Sequence, residues 1–223
     1  MNEIEKTGQA EFDFAAPNPA QKEPSALPPF LRQEGFYFVA LGGAEKVGMN
    51  MYAYISDGRI IVVDAGYDFL NDDFPGMELG LADPAWLESY RDCIDAMFIT
   101  HSHEDHFGAI AHIWPRLRCP VYATDFTIGH ILPRLREYKL ENEVELISVN
   151  QNPVVKLPDF EVEYVPVVHS LPENSALRIK TKYGTVFHAT DWRFDDCHID
   201  FMKTSYDRLK QVREQRISIN SIG

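Results

Sequence analysis

Cysteine is scarce in this sequence, and long apolar runs are missing from it. The three cysteines, Cys93, Cys119 and Cys197, are scattered and form no C-x-x-C pair. This pattern favours reduced thiols over a disulfide framework. No apolar stretch approaches the length of a membrane span, and no apolar segment follows the charged residues 1–6. We therefore expect a cytoplasmic chain without a membrane partner.

Positive charge is also in deficit. The 223 residues include 21 Lys and Arg against 34 Asp and Glu, which gives a formal net charge of -13. A strongly acidic surface argues against a non-specific grip on nucleic acid, because the phosphate backbone would be repelled. It leaves room for a local basic groove.

The chain divides into three parts by composition. In residues 1–33, prolines alternate with small and polar residues, which predicts a disordered tail. Residues 34–200 are rich enough in apolar side chains to form one domain with a sizeable core. Residues 201–223 are predicted as a short basic helix and a tail of unclear role.

The hydrophobic pattern predicts an α+β fold. Three strands are expected before residue 65, with Asp57-Gly58 as the turn of a hairpin. A loop is expected at residues 67–83, and helices then alternate with short strands up to about residue 138. Five strands follow between residues 144 and 190. Two sheets packed face to face, with helices outside, would bury both faces of these strands.

A cluster of metal-binding residue types stands at 101–106, where the chain reads His-Ser-His-Glu-Asp-His. His101 and His103 are two residues apart on extended backbone, so their side chains point to the same side. The imidazole nitrogen of histidine is a suitable ligand for a cation such as zinc. Asp105 and His106 fall where the chain turns into a helix, so they face a slightly different point. One motif can therefore serve two neighbouring cations. The alternative is a solvated polar loop.

Two metal ions need more ligands than this motif supplies. His169 and Asp191 each end a predicted strand, and ligands at strand ends on one rim can converge. A histidine at such a position is by itself more often a polar turn residue, but the motif upstream favours ligation by His169. A carboxylate such as Asp191 can bridge two cations. Asp64 also ends a strand, and either orients a ligating histidine or is an ordinary turn aspartate. The remaining histidines are weaker candidates: His112, His130, His188 and His198.

The spacing of these residues resembles the metallo-β-lactamase superfamily. The H-x-H-x-D-H motif is followed by a histidine 63 residues after His106 and by an aspartate 22 residues further on. Four flanking segments resemble the ribonuclease J group of the β-CASP nucleases within this superfamily: LGG and GMN in 41–50, VDAG at 63–66, HSLPENS at 169–175 and GTVFHATDWRFD at 184–195. The resemblance covers about residues 36–196.

The resemblance implies an αββα sandwich that holds two zinc ions. The family ligands correspond to His101, His103 and His169 for one ion, and to Asp105, His106 and a bridging Asp191 for the other. The last three residues are also expected to be catalytic. The implied activity is zinc-dependent hydrolysis of RNA, from 5′ ends and internally, by a hydroxide held between two metal ions.

The length departs from the family pattern. Family members continue for hundreds of residues beyond the aspartate motif, with an RNA-clamping β-CASP domain and a final zinc-ligating histidine, whereas 32 residues follow Asp191 here. We therefore expect a sandwich that is incomplete at its carboxyl end, lacks the β-CASP domain and has an incomplete second zinc site.

Two alternatives remain open on the sequence. One is a small-molecule hydrolase of the same fold, such as a thioesterase-like enzyme, which is complete at roughly this size. The other is an inactive remnant that pairs with a full-length relative. Exposed sheet edges would also favour a homo-oligomer.

Overall fold

The computed structural model describes residues 34–44, 47–70, 75–150, 153–193, 204–214 and 217–221. The proline-rich segment 1–33, for which we predict disorder, lies outside the described residues. Within the described chain there are two large sheets, one small hairpin and five α-helices.

The first sheet is mixed, with the spatial order β1-β2-β3-β6-β7-β8. Its strands are β1 (Phe36–Gly42), β2 (Met51–Ser56), β3 (Arg59–Val63), β6 (Ile94–Phe98), β7 (Val121–Ala123) and β8 (Leu146–Ser148). As predicted, β2 and β3 form a hairpin, and Asp57 and Gly58 both have positive φ in its turn. Strands β3, β6, β7 and β8 run parallel, so their carboxyl ends meet at one edge.

The second sheet has the order β13-β12-β11-β10-β9. Its strands are β9 (Val154–Lys156), β10 (Glu161–Pro166), β11 (Ser175–Thr181), β12 (Gly184–His188) and β13 (Ile217–Ser221). Strands β9 to β12 form an antiparallel meander, whereas β13 joins β12 in parallel.

Four of the α-helices connect strands of the first sheet, and the fifth packs on the second. They are α1 (Ala85–Glu88), α2 (Glu104–Phe107), α3 (Ile110–Leu117), α4 (Asp125–Glu137) and α5 (Tyr206–Glu214). Helix α4 begins at an N-cap, Thr124, whose hydroxyl accepts a hydrogen bond from the backbone of Thr127. Among the described residues, no helix has the length and apolarity that crossing a membrane requires.

The fold has four layers: helices, the first sheet, the second sheet and helix α5. An apolar cluster lies between each pair of neighbouring layers. Alternate residues of β2 belong to different clusters: Ala53 packs with the helices α3 and α4, and Tyr54 faces the second sheet. Between the sheets, Tyr54 and Phe98 share a cluster with Leu177 of β11. On the far side, Val212 of α5 packs against the second sheet. This layering confirms the predicted αββα sandwich.

The structure differs from the sequence-based expectation at two places. Residues 67–83, expected as a loop, contain a hairpin of β4 (Tyr67–Phe69) and β5 (Leu79–Leu81). Residues 217–221, within the segment assigned to a helix and a tail, form β13. Both features depend on pairing between strands, and local patterns of hydrophobicity carry little information about such pairing.

Candidate metal centre

One group of site residues surrounds the side chain of His103. Its Nδ1 lies 2.9 Å from Nε2 of His101 and 3.1 Å from Nε2 of His169. The carboxylate of Asp191 lies 3.5 Å from the same nitrogen of His169. Each residue offers one ligand atom, and the four atoms lie within 4.8 Å of one another. This arrangement can surround one cation with three nitrogens and one oxygen.

A second group adjoins the first. Nε2 of His106 lies 3.7 Å from a carboxylate oxygen of Asp105 and 3.7 Å from one of Asp191. Ligand atoms of these three residues also lie within 4.8 Å of one another. Asp191 belongs to both groups, which is the position that a bridging carboxylate requires. The structure thus brings together all six residues that the sequence singled out.

The two sheets contribute different parts of the centre. Residues 101–106 follow β6 of the first sheet, whereas His169 follows β10 and Asp191 follows β12 of the second. The backbone after β12 is held by Asn174, whose side-chain amide donates to the carbonyl of Asp191 at 2.7 Å. The centre therefore lies on a rim where both sheets end.

Close backbone packing holds Asp105 and His106 in place. Backbone N–H groups of Asn50 and Ala65 donate to the carbonyls of Asp105 and His106, at 3.0 and 2.7 Å. Gly66 packs so tightly here that a Cβ at this position would collide with the carbonyl of Asp105. The sequence Ala65-Gly66 therefore supports the second group directly.

Asp64 orients a candidate ligand, which resolves the two interpretations left open by the sequence. It is fully buried with φ of 62°. Its carboxylate accepts hydrogen bonds from the backbone N–H and hydroxyl of Thr100, and Nδ1 of His106 lies 2.8 Å away. Because Nδ1 is held on this side, Nε2 of His106 faces the centre.

Three further residues contact the centre and were not found by sequence reasoning. The hydroxyl of Ser170 lies 2.9 Å from Nε2 of His103, and that of Thr100 lies 3.0 Å from Nδ1 of His101. Both are direct sequence neighbours of candidate ligands, and that position was the available signal. Asn50 is 55 residues from its partner Asp105, and only the fold reveals their contact.

Three imidazoles are electrostatically suited to bind a cation. Burial lowers the pKa of His101, and the neighbouring histidines lower it further. Burial is also the main cause that lowers the pKa of His103 and His169. These rings are therefore neutral near pH 7, as metal ligation requires. A hydrogen bond with His106 holds the pKa of Asp191 below its ordinary value, so this group is a carboxylate.

His106 differs from the other three histidines. Burial opposes its protonation, but Asp64, Asp191 and Asp105 outweigh this effect and raise its pKa to about 10. Three carboxylates thus favour a positive charge on this ring or beside it. A cation on Nε2 can take the place of the proton.

The donor set and its spacing fit borderline-soft divalent cations. Ligands at about 2.0 to 2.1 Å in a tetrahedral site lie about 3.3 Å from one another. The donor separations given above run from 2.9 to 3.7 Å, on both sides of this value. The centre can therefore accept a tetrahedral ion with small movements of its side chains.

The other described histidines belong to neither group. His112 and His130 are exposed on helices α3 and α4. His188 is fully buried, with Nδ1 3.0 Å from the hydroxyl of Tyr54, and burial lowers its pKa to about 4. His198 lies outside the described residues.

Comparison with known families agrees with this geometry. The family model of the beta-lactamase superfamily domain matches residues 59–207. The chain belongs to the metallo-β-lactamase superfamily. Its fold implies metal binding, and the two groups of His and Asp side chains described above could each hold a metal ion.

Within this superfamily the chain is ribonuclease J-like. It is 37% identical to Ribonuclease J of Sinorhizobium meliloti over 190 residues, which cover 83% of this chain and 34% of that protein. It is 34% identical to Ribonuclease J of Mycolicibacterium smegmatis over 195 residues, or 87% of this chain and 35% of that protein. The chain thus spans about a third of the length of these curated relatives.

Two solved structures share the superfamily fold. The metallo-beta-lactamase fold protein YhfI from Bacillus subtilis superposes with a TM-score of 0.54 and 18% identity, over 76% of this chain and 67% of that one. The peroxy diiron species of the chemotaxis sensor ODP superposes with a TM-score of 0.55 and 15% identity, over 85% of this chain and 84% of that one. At these identities the likeness concerns the fold alone.

Proposed function

We propose that this chain is a zinc-dependent ribonuclease of the ribonuclease J type, which hydrolyses RNA phosphodiester bonds from 5′ ends and internally in the cytoplasm. The observation that carries the proposal is the convergence of six imidazole and carboxylate ligands in a chain 31 to 37% identical to ribonucleases J. A metal centre that faces solvent on one side is the kind of site at which a phosphodiester can be hydrolysed.

The six residues divide into two zinc sites that share one carboxylate. In the first, three neutral imidazoles and Asp191 supply four ligands, which suits zinc. In the second, Asp105, His106 and Asp191 supply three among the described residues. We expect the first site to bind zinc more tightly than the second, because it has more protein ligands.

The residues of the chain perform defined tasks in this reaction. Bound zinc ions would lower the pKa of water to supply a nucleophile and would stabilise the charge that develops on the phosphoryl oxygens. Asp191 fixes the separation of the two groups, while Asp64 and Ser170 hold the rings of His106 and His103. Substrate approaches the partly exposed side of the centre, because His101 and His106 form its buried floor.

The test is hydrolysis of a 5′-monophosphorylated RNA by the zinc-loaded chain. His103→Ala is the inactivating variant, since it removes a ligand of the first group. His112→Ala is the matched control, because this histidine is exposed on helix α3. We expect cleavage by the unaltered chain and by His112→Ala, with the activity of His103→Ala at least about a hundredfold lower.

The outcomes separate the proposal from its alternatives. Hydrolysis of a thioester substrate without any cleavage of RNA would contradict the proposal and favour a small-molecule hydrolase. If the zinc-loaded chain cleaves neither substrate, while both it and His103→Ala bind a full-length relative, the chain is an inactive pairing subunit. Equal RNA cleavage by His103→Ala would show that the activity does not depend on this centre.

A further inference from the structure

Asn50 lies beside the metal centre, in contact with helix α2 and with the segment that follows β3. Its side chain is almost fully buried, and its backbone N–H donates to the carbonyl of Asp105 at 3.0 Å. Its own carbonyl accepts from the backbone N–H of Gly66, also at 3.0 Å. The start of β2 is thereby joined to helix α2 and to the segment after β3.

The side chain of Asn50 contacts the second group of ligands. Its Nδ2 donates to a carboxylate oxygen of Asp105 at 3.2 Å and lies 3.0 Å from Nε2 of His106. An ionised carboxylate accepts hydrogen bonds and cannot donate them, so the NH2 group must face Asp105. This leaves Oδ1 on the opposite side of the amide.

Tyr52 holds the other end of this amide. The buried hydroxyl of Tyr52 donates to Oδ1 of Asn50 at 2.9 Å. Gly43 leaves the room for this contact, because a Cβ there would collide with both Oδ1 of Asn50 and the hydroxyl of Tyr52. The orientation of the amide is thus determined at both ends.

We propose that Asn50, held by Tyr52, is a positioning residue that orients Asp105 and thereby sets the affinity of the second zinc site. The inference rests on the proposed function, since it concerns the same metal centre. Asn50 does not supply a ligand atom; it acts through the carboxylate that does. Hydrogen-bond partners of ligating carboxylates commonly change metal affinity by about 10- to 100-fold when they are removed.

The experiment measures zinc binding by the full chain in competition with a chromogenic chelator, which resolves the two dissociation constants. Asp105→Ala identifies the constant that belongs to the second group. In Asn50→Ala we expect this constant to rise by about 10- to 100-fold. The constant of the first group should stay unchanged, because Asn50 contacts none of the ligands that belong to that group alone.

A matched pair of variants tests the proposal if Asn50→Ala does not fold. Tyr52 and Tyr54 are both buried on the same face of β2, but the hydroxyl of Tyr54 faces His188 rather than Asn50. We expect Tyr52→Phe to weaken the second site by about fivefold, as the loss of one hydrogen bond predicts, and Tyr54→Phe to leave it unchanged. Thermal unfolding without metal reports whether each variant folds.

Zinc binding by the unaltered chain and by the variants distinguishes a failure of the proposed function from a failure of the role proposed for Asn50. If the unaltered chain binds no zinc, the proposed function fails and this inference fails with it. If it binds zinc at two sites but Asn50→Ala and Tyr52→Phe bind it equally well, only the role of Asn50 is refuted. A comparable loss in Tyr54→Phe, or a loss at both zinc sites, would likewise overturn it, since the effect would then be general.

Discussion

At the scale of single residues, two positions in the segment 63–66 hold the surroundings of the candidate metal centre in place. Gly66 is needed because its missing Cβ lets the backbone of Asp105 approach. Asp64 is needed because its two oxygens hold both Thr100 and His106. Both roles can be tested with conservative substitutions.

Gly66→Ala is expected to destabilise the chain by about 3 kcal/mol, because the added methyl group must displace the backbone of Asp105. Gly129→Ala is the matched control. Gly129 is exposed in helix α4, has no atom within 4 Å of its added Cβ, and should gain about 1 kcal/mol from the better helix propensity of alanine. Urea unfolding of both variants measures the difference, and similar effects of the two would contradict this account.

Asp64→Asn preserves the size of the side chain but replaces one acceptor oxygen with a donor. Asparagine tolerates the positive φ of this position, so the backbone should keep its conformation. The NH2 group cannot accept from Thr100 or His106, and we expect a loss of about 2 kcal/mol in the free energy of unfolding without metal. Chemical denaturation checks this value; stability equal to that of the unaltered chain would show that Asp64 is dispensable.

At the scale of elements, helix α5 docks on the second sheet through both apolar and charged contacts. Val212 is buried against the sheet, and Arg208 binds Glu163 of β10. Arg178 of β11 donates to the same carboxylate at 2.6 Å. Glu163 thus joins two strands and the helix, and its side chain is only 7% exposed.

The charge of Glu163 links the docking of α5 to pH. Burial opposes ionisation of this group, but hydrogen bonds from Arg208 and Arg178 outweigh burial and hold its pKa below the ordinary 4.5. A lowered folded-state pKa stabilises the fold above the unfolded-state value, and this stability is lost as the pH falls through the folded-state pKa.

Glu163→Gln should therefore lower the free energy of unfolding by about 2 kcal/mol at pH 7. The difference from the unaltered chain should shrink as the pH falls below about 4.5, where the side chain of the unfolded state gains a proton, and should be lost as the pH passes the lower folded-state pKa. Chemical denaturation over a series of pH values measures both effects. Glu137→Gln, an exposed partner of Arg134, is the control and should change stability by less than about 0.5 kcal/mol. A difference that does not vary with pH would contradict the assignment.

At the scale of the whole molecule, the metal centre joins the two sheets. Residues 101–106 follow a strand of the first sheet, and His169 and Asp191 follow strands of the second. A bound cation would therefore cross-link layers that otherwise meet mainly through apolar contacts. Binding to the folded chain alone must also stabilise it by mass action.

Zinc at about 100 times its dissociation constant should add about 2.7 kcal/mol to stability. For a chain of this size, that raises the midpoint of thermal unfolding by roughly 5 to 10 °C. We expect the shift to be reversed by a chelator, to shrink strongly in His169→Ala and to persist in His112→Ala. A midpoint that does not respond to zinc would argue against a metal that joins the sheets.

The sequence predicted the six converging residues better than it predicted the contacts that surround them. His101, His103, Asp105 and His106 could be recognised because they are concentrated in six residues after a strand. Their supporting contacts mostly come from elsewhere in the chain. Asn50 reaches Asp105 across 55 residues, and no local pattern indicates that contact.

Among the strands, too, some could be predicted from the local sequence and others could not. The β2–β3 hairpin follows from Asp57-Gly58, whose backbone conformation is a local property. Strand β13 follows only from its pairing with β12, because isolated strands have weak intrinsic preference and take their stability from neighbours.

The local sequence pattern predicted most of the strands and helices, the six candidate metal ligands and the resemblance to a family, since these depend on residue type and short spacing. The tertiary structure decided that the six side chains converge from two sheets, that Asp64 orients His106 and that Asn50 and Tyr52 support Asp105. The physical reason is that metal ligation requires atoms a few ångströms apart, and only the packing of the layers sets distances between residues that are far apart in the chain.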